Sequence, residues 1–362
     1  MHASSDNLAL RAAKVQLPAE IEGKFMRALV ISAPGVAAVE DLAPPVAGPG
    51  EVVVDVERVG VCGTDVEFYT GHMPYLHNGI SSYPVRLGHE WCGTVSAVGE
   101  GVANSWVGTR TTGDTQISCG HCYLCLHGRH HACENRSEVG LRGRYPGALA
   151  EQLLVPASSL HALPDHVDGA AGAMVEPGAN SLRAAWGAAI QPGTPVLVLG
   201  AGTIGLLAAQ FAVAQGAEVT VADRAERALR FAESLGGFAV YDIEQLPAAH
   251  YDAVIDASND PLLPALAVEL VQPGGRAVFI GLAGSPSMLD TRAMVFKDIT
   301  AVAVLSGSPA LASTVEQYAS GAVDPRPLVA ATIGLDDVPD LLAGNRPAGA
   351  GPGPKVHIDP RV

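Results

Sequence analysis

"TPVLVLGAGTIGLLAAQFAVAQGAEVTVAD", residues 194–223, decides the fold. Val196 to Leu199 is a short apolar run without alternation, as in a strand buried on both faces. Three glycines follow, Gly200, Gly202 and Gly205, and then a helix is expected from about Thr203 to Gln215. A second strand is expected over Glu218 to Ala222, completing a βαβ unit. GxGxxG is a weak signal alone, but after a strand and at the start of a helix it is a dinucleotide fingerprint. Gly200 permits the tight turn, Gly202 lets the backbone approach a pyrophosphate, and Gly205 allows close helix–strand packing. The first helical turn, with Thr203 and Ile204, presents free N–H groups to that charge. Asp223 closes the second strand 18 residues after Gly205. Its carboxylate suits the ribose hydroxyls and repels a 2′-phosphate, so NAD is expected over NADP. Arg224 next door partly softens that choice. The plain alternative is a flavodoxin-like sheet whose glycines only make turns.

Further units follow in "YDAVIDAS", a helix after Asp260, "GRAVFIG", "ITAVAVLSGS" and a helix from about Pro309 to Ser320. Strands alternating with helices predict a doubly wound parallel sheet. Before Gly169 the texture differs. "MRALVIS", "EVVVDVERVGV", "GHEWCGTVSAVGEGV" and a strand pair in "GALAEQLLVPASSLHALPD" read as mainly β, whereas "GAAGAMVEPGANSLRAAWGAA" has helical spacing. A chain of 362 residues is too long for one ordinary core, so two domains are expected. Its formal net charge of −15 opposes a phosphate backbone, and nucleic acid is not an expected partner. Neither a membrane span nor a secretory leader is expected, and the cytoplasm is the expected compartment.

Six cysteines are present, four of them in "CGHCYLCLHGRHHAC". Cys119, Cys122, Cys125 and Cys133 at such short spacings suit one tetrahedral, closed and therefore structural zinc. His121, His127, His130 and His131 are expected as exposed loop residues. Cys92 reads as a core thiol.

With "GVCGTD" (Cys62), "GHEWCGTV" (His89, Glu90), the four-Cys lobe, "VEPGAN" (Glu176) and "VLGAGTIG" in order, the chain resembles the zinc-dependent medium-chain dehydrogenases/reductases. The resemblance runs from about Met26 to Val362 and is nearest the sorbitol, threonine and glucose dehydrogenase branch. It implies a GroES-like, mainly β catalytic domain over 26–182, completed by 329–362, a Rossmann domain over 183–328, and an extension over 1–25. It also implies a second, catalytic zinc on Cys62 and His89, with Glu176 binding directly or through water. Glu90 is a fourth ligand or a partner of the ligands. Two zinc ions per chain and NAD are the expected cofactors.

The resemblance further implies oxidation of an alcohol to a ketone, or the reverse. Zinc polarises the substrate oxygen so that an alkoxide forms near neutral pH. The alkoxide then releases hydride to nicotinamide. Thr64 relays the proton, and Asp65 orients a zinc ligand or a nearby positive group. Glu67 stands where many relatives have a relay histidine, which leaves the outer end of the relay open. Asn180 approaches the nicotinamide or a substrate hydroxyl. In "HMPYLHNGISSYPV", Met73, Tyr75 and Leu76 suit an apolar pocket, while His72, His77 and Asn78 suit polyol hydroxyls. A secondary alcohol, either a polyol or a bulky apolar cyclic alcohol, is the expected substrate class, with a homodimer or homotetramer for which "ITAVAVLSG" is the candidate edge. The alternatives are an NADPH-dependent carbonyl reductase and a nucleotide-binding relative without dehydrogenase activity.

Overall fold

A computed structural model describes residues 23–247 and 250–362, so nearly all of the expected extension lies outside the described residues. Strands β1 (Met26–Ala33) and β2 (Val36–Leu42) form an antiparallel hairpin. Gly35, at φ +72°, makes its turn. The first half also holds β3 (Glu51–Gly60), β4 (Glu90–Val98), β5 (Arg110–Gly113), β6 (Gln116–Ile117), β7 (Ser137–Glu138), β8 (Gln152–Pro156) and β9 (Leu160–Ala162). The second half holds β10 (Pro195–Leu199), β11 (Glu218–Asp223), β12 (Ala239–Asp242), β13 (Tyr251–Asp256), β14 (Val271–Phe279) and β15 (Thr300–Ala303), and the tail adds β16 (Val329–Ile333) and β17 (Lys355–Ile358).

Strands β10 to β15 make a parallel sheet in the order β12-β11-β10-β13-β14-β15. That is the doubly wound dinucleotide-binding order, with the reversal at β10. Along β10, Val196 and Val198 enter one apolar cluster and Leu197 and Leu199 another, so both faces are covered. This explains a strand without polar alternation.

The mainly β half forms a seven-stranded sheet, β16-β17-β3-β4-β5-β9, with β8 also on β3. The two strands in "GALAEQLLVPASSLHALPD" are therefore not partners: β8 pairs with β3 and β9 with β5. Strand β17, from the tail, pairs antiparallel with β3 and sets His357 opposite Gly60. The helical stretch after Gly169 divides into Gly169–Ala173 and Val175–Gly187. The second of these carries Glu176 in its first turn.

Candidate active site and metal centres

The β3–β4 register brings the first two site residues together. Gly60 faces Glu90, so Cys62, just past the end of β3, lies beside His89, just before β4. Cys62 is the N-cap of the Gly63–Thr70 helix. Asp65 Oδ2 accepts from Cys62 N at 2.8 Å, and its Oδ1 lies 3.7 Å from His89 Nδ1. Both of these facing atoms are buried and lack hydrogen-bond partners. A carboxylate behind the outer nitrogen of a histidine is the usual support of a metal-ligating imidazole. Burial disfavours the charged His89 ring, but Asp65, Cys62 and Glu176 outweigh it and push its pKa well above the ordinary value.

Donor atoms of Cys62, His89 and Glu90 lie within 4.8 Å of one another. Glu90 is already engaged, however. Lys355 Nζ donates to its two oxygens at 2.8 and 2.7 Å, and to Val61 O at 3.0 Å. All three ammonium protons are thus used. The close approach of this pair requires Gly60, where a Cβ would lie 2.1 Å from Glu90 Oε2.

Glu176 is half-buried and stands outside that set of donors. Burial raises its pKa to about 7, against the opposing pull of His89, while Glu90 adds to the rise. Asn180 Nδ2 donates to Glu176 Oε1 at 2.9 Å and to Glu176 O at 3.1 Å. Thr64 and Glu67 are half-buried in the helix that Cys62 caps. Met73, Tyr75 and Leu76 are half-buried and pack against the β-domain core, and Tyr75 OH donates to Glu138. His72, His77 and Asn78 are exposed.

The four remaining site cysteines converge. Sulfur separations are 3.9 Å for Cys119–Cys125, 3.4 Å for Cys122–Cys125, 3.7 Å for Cys122–Cys133 and 3.5 Å for Cys133–Cys119. Sulfurs about 2.3 Å from a tetrahedral zinc stand about 3.8 Å apart, so the cage fits that ion. His121 and His127 are exposed as expected, but His130 and His131 are half-buried. His130 Nε2 lies 3.4 Å from Asp114 Oδ2, which raises its pKa. Cys92 is fully buried, its Sγ 3.3 Å from Gly169 O, and burial pushes the thiol up to about 12.

At the dinucleotide fingerprint, Gly200 has φ +103°, and a Cβ on Gly205 would lie 1.9 Å from Gly200 O. Gly202 faces open space and N-caps the Thr203–Ala214 helix without a side-chain hydrogen bond, leaving first-turn N–H groups for a phosphate. Asp223 accepts from Ala201 N at 2.7 Å and Ala225 N at 2.8 Å. Arg224 is paired with Asp260. Ser181 Oγ donates to Ile204 O at 3.0 Å, tying the Glu176 helix to the turn after the glycines.

Lys355, Asp114 and Ser308 also shape the site, and none lies in a local motif. Only the lone lysine of the "KVHID" strand gave a signal, being a charge in an otherwise buried element. Asp114 Oδ1 accepts from Ser308 Oγ at 2.6 Å, joining the β half to the loop after β15.

Residues 48–165 match the alcohol dehydrogenase GroES-like domain, and 203–321 the zinc-binding dehydrogenase domain. The chain is 33% identical over 301 residues to a sorbitol dehydrogenase of Halalkalibacterium halodurans, covering 79% of this chain and 85% of that one. It is 36% identical over 249 residues to L-galactonate-5-dehydrogenase of Escherichia coli, covering 66% and 71%. An alcohol dehydrogenase from E. coli CFT073, solved with NADH, superimposes with a TM-score of 0.85 at 28% identity, over 93% of this chain and 100% of that one. A zinc-binding dehydrogenase of Sinorhizobium meliloti bound to NADP gives 0.84 at 29% identity, again over 93% and 100%. This chain belongs to the zinc-dependent medium-chain dehydrogenase/reductase family and is an oxidoreductase.

Proposed function

We propose that the protein interconverts a secondary alcohol and a ketone with NAD, using a metal held by Cys62 and His89. The observation that carries this reading is the convergence of Cys62 and His89, backed by Asp65, beside the helix that Ser181 ties to the glycine turn. When bound, zinc supplies a Lewis acid for the substrate oxygen and nicotinamide supplies a hydride acceptor. Asp65 fixes the His89 ring. Thr64, two residues after Cys62, receives the hydroxyl proton and passes it outward. Lys355 pairs with Glu90, whose carboxylate also lies with the Cys62 and His89 donors and serves as a further ligand or as a partner of the ligands. The Cys119–Cys133 lobe holds a second, structural zinc.

NAD is favoured because the Asp223 carboxylate ends β11 and Arg224, the nearby cation, is taken by Asp260. The names of the relatives support a polyol or another secondary alcohol. Strand β15, bonded only to β14 among the described residues, is a sheet edge that supports pairing with a second copy of the chain.

The test is metal counting with activity. Cys62→Ser is expected to lower zinc from two to one per chain and abolish turnover of secondary alcohols with NAD. Unchanged metal content and turnover would overturn the reading, and a preference for NADP would overturn the Asp223 argument.

A further inference from the structure

We propose that Asp260 is a specificity-determining residue for the cofactor: it holds the Arg224 guanidinium in an ion pair and so denies it to the 2′-phosphate of NADP. The proposal deepens the NAD reading above and rests on it. The strand order sets β11 and β13 on either side of β10. Leu199, the last residue of β10, has Ala222 and Asp256 as its neighbours. The glycine turn therefore opens between the ends of β11 and β13, the crevice in which a doubly wound sheet takes its dinucleotide. Arg224 directly follows β11, and Asp260 stands in the loop after β13, 36 positions further on. Their side chains meet across that crevice.

Asp260 is fixed in this role from its own loop. Its Oδ1 accepts from Leu262 N at 2.9 Å, which leaves Oδ2 for Arg224. The Leu262 N–H first, and Arg224 after it, hold the carboxyl below the ordinary range, so it is charged at neutral pH. Asp223 does not compete for Arg224, because its two oxygens accept from Ala201 N and Ala225 N. The next cation along the chain, Arg227, donates to Gly351 O at 3.3 Å. A guanidinium beside the ribose is what accommodates a 2′-phosphate, through charge-assisted bonds. The Arg224 side chain is 52% exposed, within reach of such a group once released. To bind it, Arg224 must leave Asp260, and the freed carboxylate then repels the phosphate.

The test is equilibrium titration of the full-length protein with NADH and with NADPH, followed by cofactor fluorescence. Asp260→Asn keeps an oxygen for Leu262 N but removes the charge and the acceptor for Arg224. Asp260→Ser does the same with a smaller side chain. In both, Kd for NADPH should fall about tenfold, the weight of one hydrogen bond to a charged group, while Kd for NADH stays within about twofold. Asp260→Asn combined with Arg224→Ala should lose the gain, which separates release of Arg224 from the mere removal of a negative charge. Asp260→Glu, which keeps the charge, should leave the discrimination as in the wild type. Added salt should shrink the gain, since the contact is partly exposed. An unchanged Kd for NADPH in the two neutral variants overturns the proposal. So does a gain that persists without Arg224, or an equal change for both cofactors. A wild-type protein that binds NADPH more tightly than NADH would instead overturn the NAD reading, and this proposal with it.

Discussion

A single lysine does much of the work of keeping two charges inside this protein. Lys355 and Glu90 retain only 5% and 2% side-chain exposure, and each satisfies the other. Lys355→Met would leave the Glu90 charge buried and unpaired, at a cost of about 3–5 kcal/mol in denaturant unfolding. Adding Glu90→Gln should recover part of that loss. Two residues on, His357 is fully buried with both ring nitrogens unpartnered. Burial first, and the Lys355 and Arg58 charges second, lower its pKa from 6.5 to about 3. The unfolded chain therefore binds this proton below pH 6.5 while the folded chain does not, and stability must fall as pH drops from about 6.5 towards 3. His357→Leu should flatten that part of the stability–pH curve, measured as unfolding midpoints between pH 7 and 4. A midpoint profile unchanged by the substitution would contradict the assignment.

Among elements, the glycine turn is the least forgiving. The Thr203–Ala214 helix approaches β10 so closely that Gly205→Ala drives a Cβ into Gly200 O, a backbone atom with no rotamer to yield. The helix must shift, at a cost of about 1–3 kcal/mol, and its N-terminus with it. Melting temperature and NADH affinity should fall together, read by calorimetry and cofactor fluorescence; loss of one alone would argue against a helix shift. The βαβ element itself was plain in the sequence, because its strand is apolar throughout and its glycines fall at the turn. The β1–β2 hairpin was not. β2 is largely exposed or half-buried, so it lacks the apolar pattern that marks a strand.

For the whole molecule, two contacts between its halves stand out: the Asp114–Ser308 bond and the Ser181–Ile204 bond. Among the described residues no helix is long and apolar enough to cross a membrane. Large apolar side chains are nevertheless exposed around the β15 edge, with Val295 at 77%, Phe296 at 81% and Leu305 at 60%. An exposed edge with such flanks is ordinarily covered by another chain. If the proposed pairing through this edge holds, Val295→Asp with Phe296→Asp should yield monomers in analytical ultracentrifugation, leaving metal content intact. A wild-type protein that sediments as a monomer would refute self-association.

The sequence by itself determined the doubly wound sheet, the four-cysteine cage and the order of the site residues, because each is written in short spacings and local periodicity. Asp223 was legible for that reason, whereas Cys62, His89 and Glu176 were implied only by the resemblance of their motifs to a known family. Only the tertiary structure decided which of the carboxylates are free. Glu90 is claimed by Lys355 from the far end of the chain, and the amide of Asn180 turns inward to Glu176. Burial removes water as a partner, so each charge or amide must find one within the fold. In the Lys355–Glu90 pair that partner is 265 positions away, where no local pattern reaches.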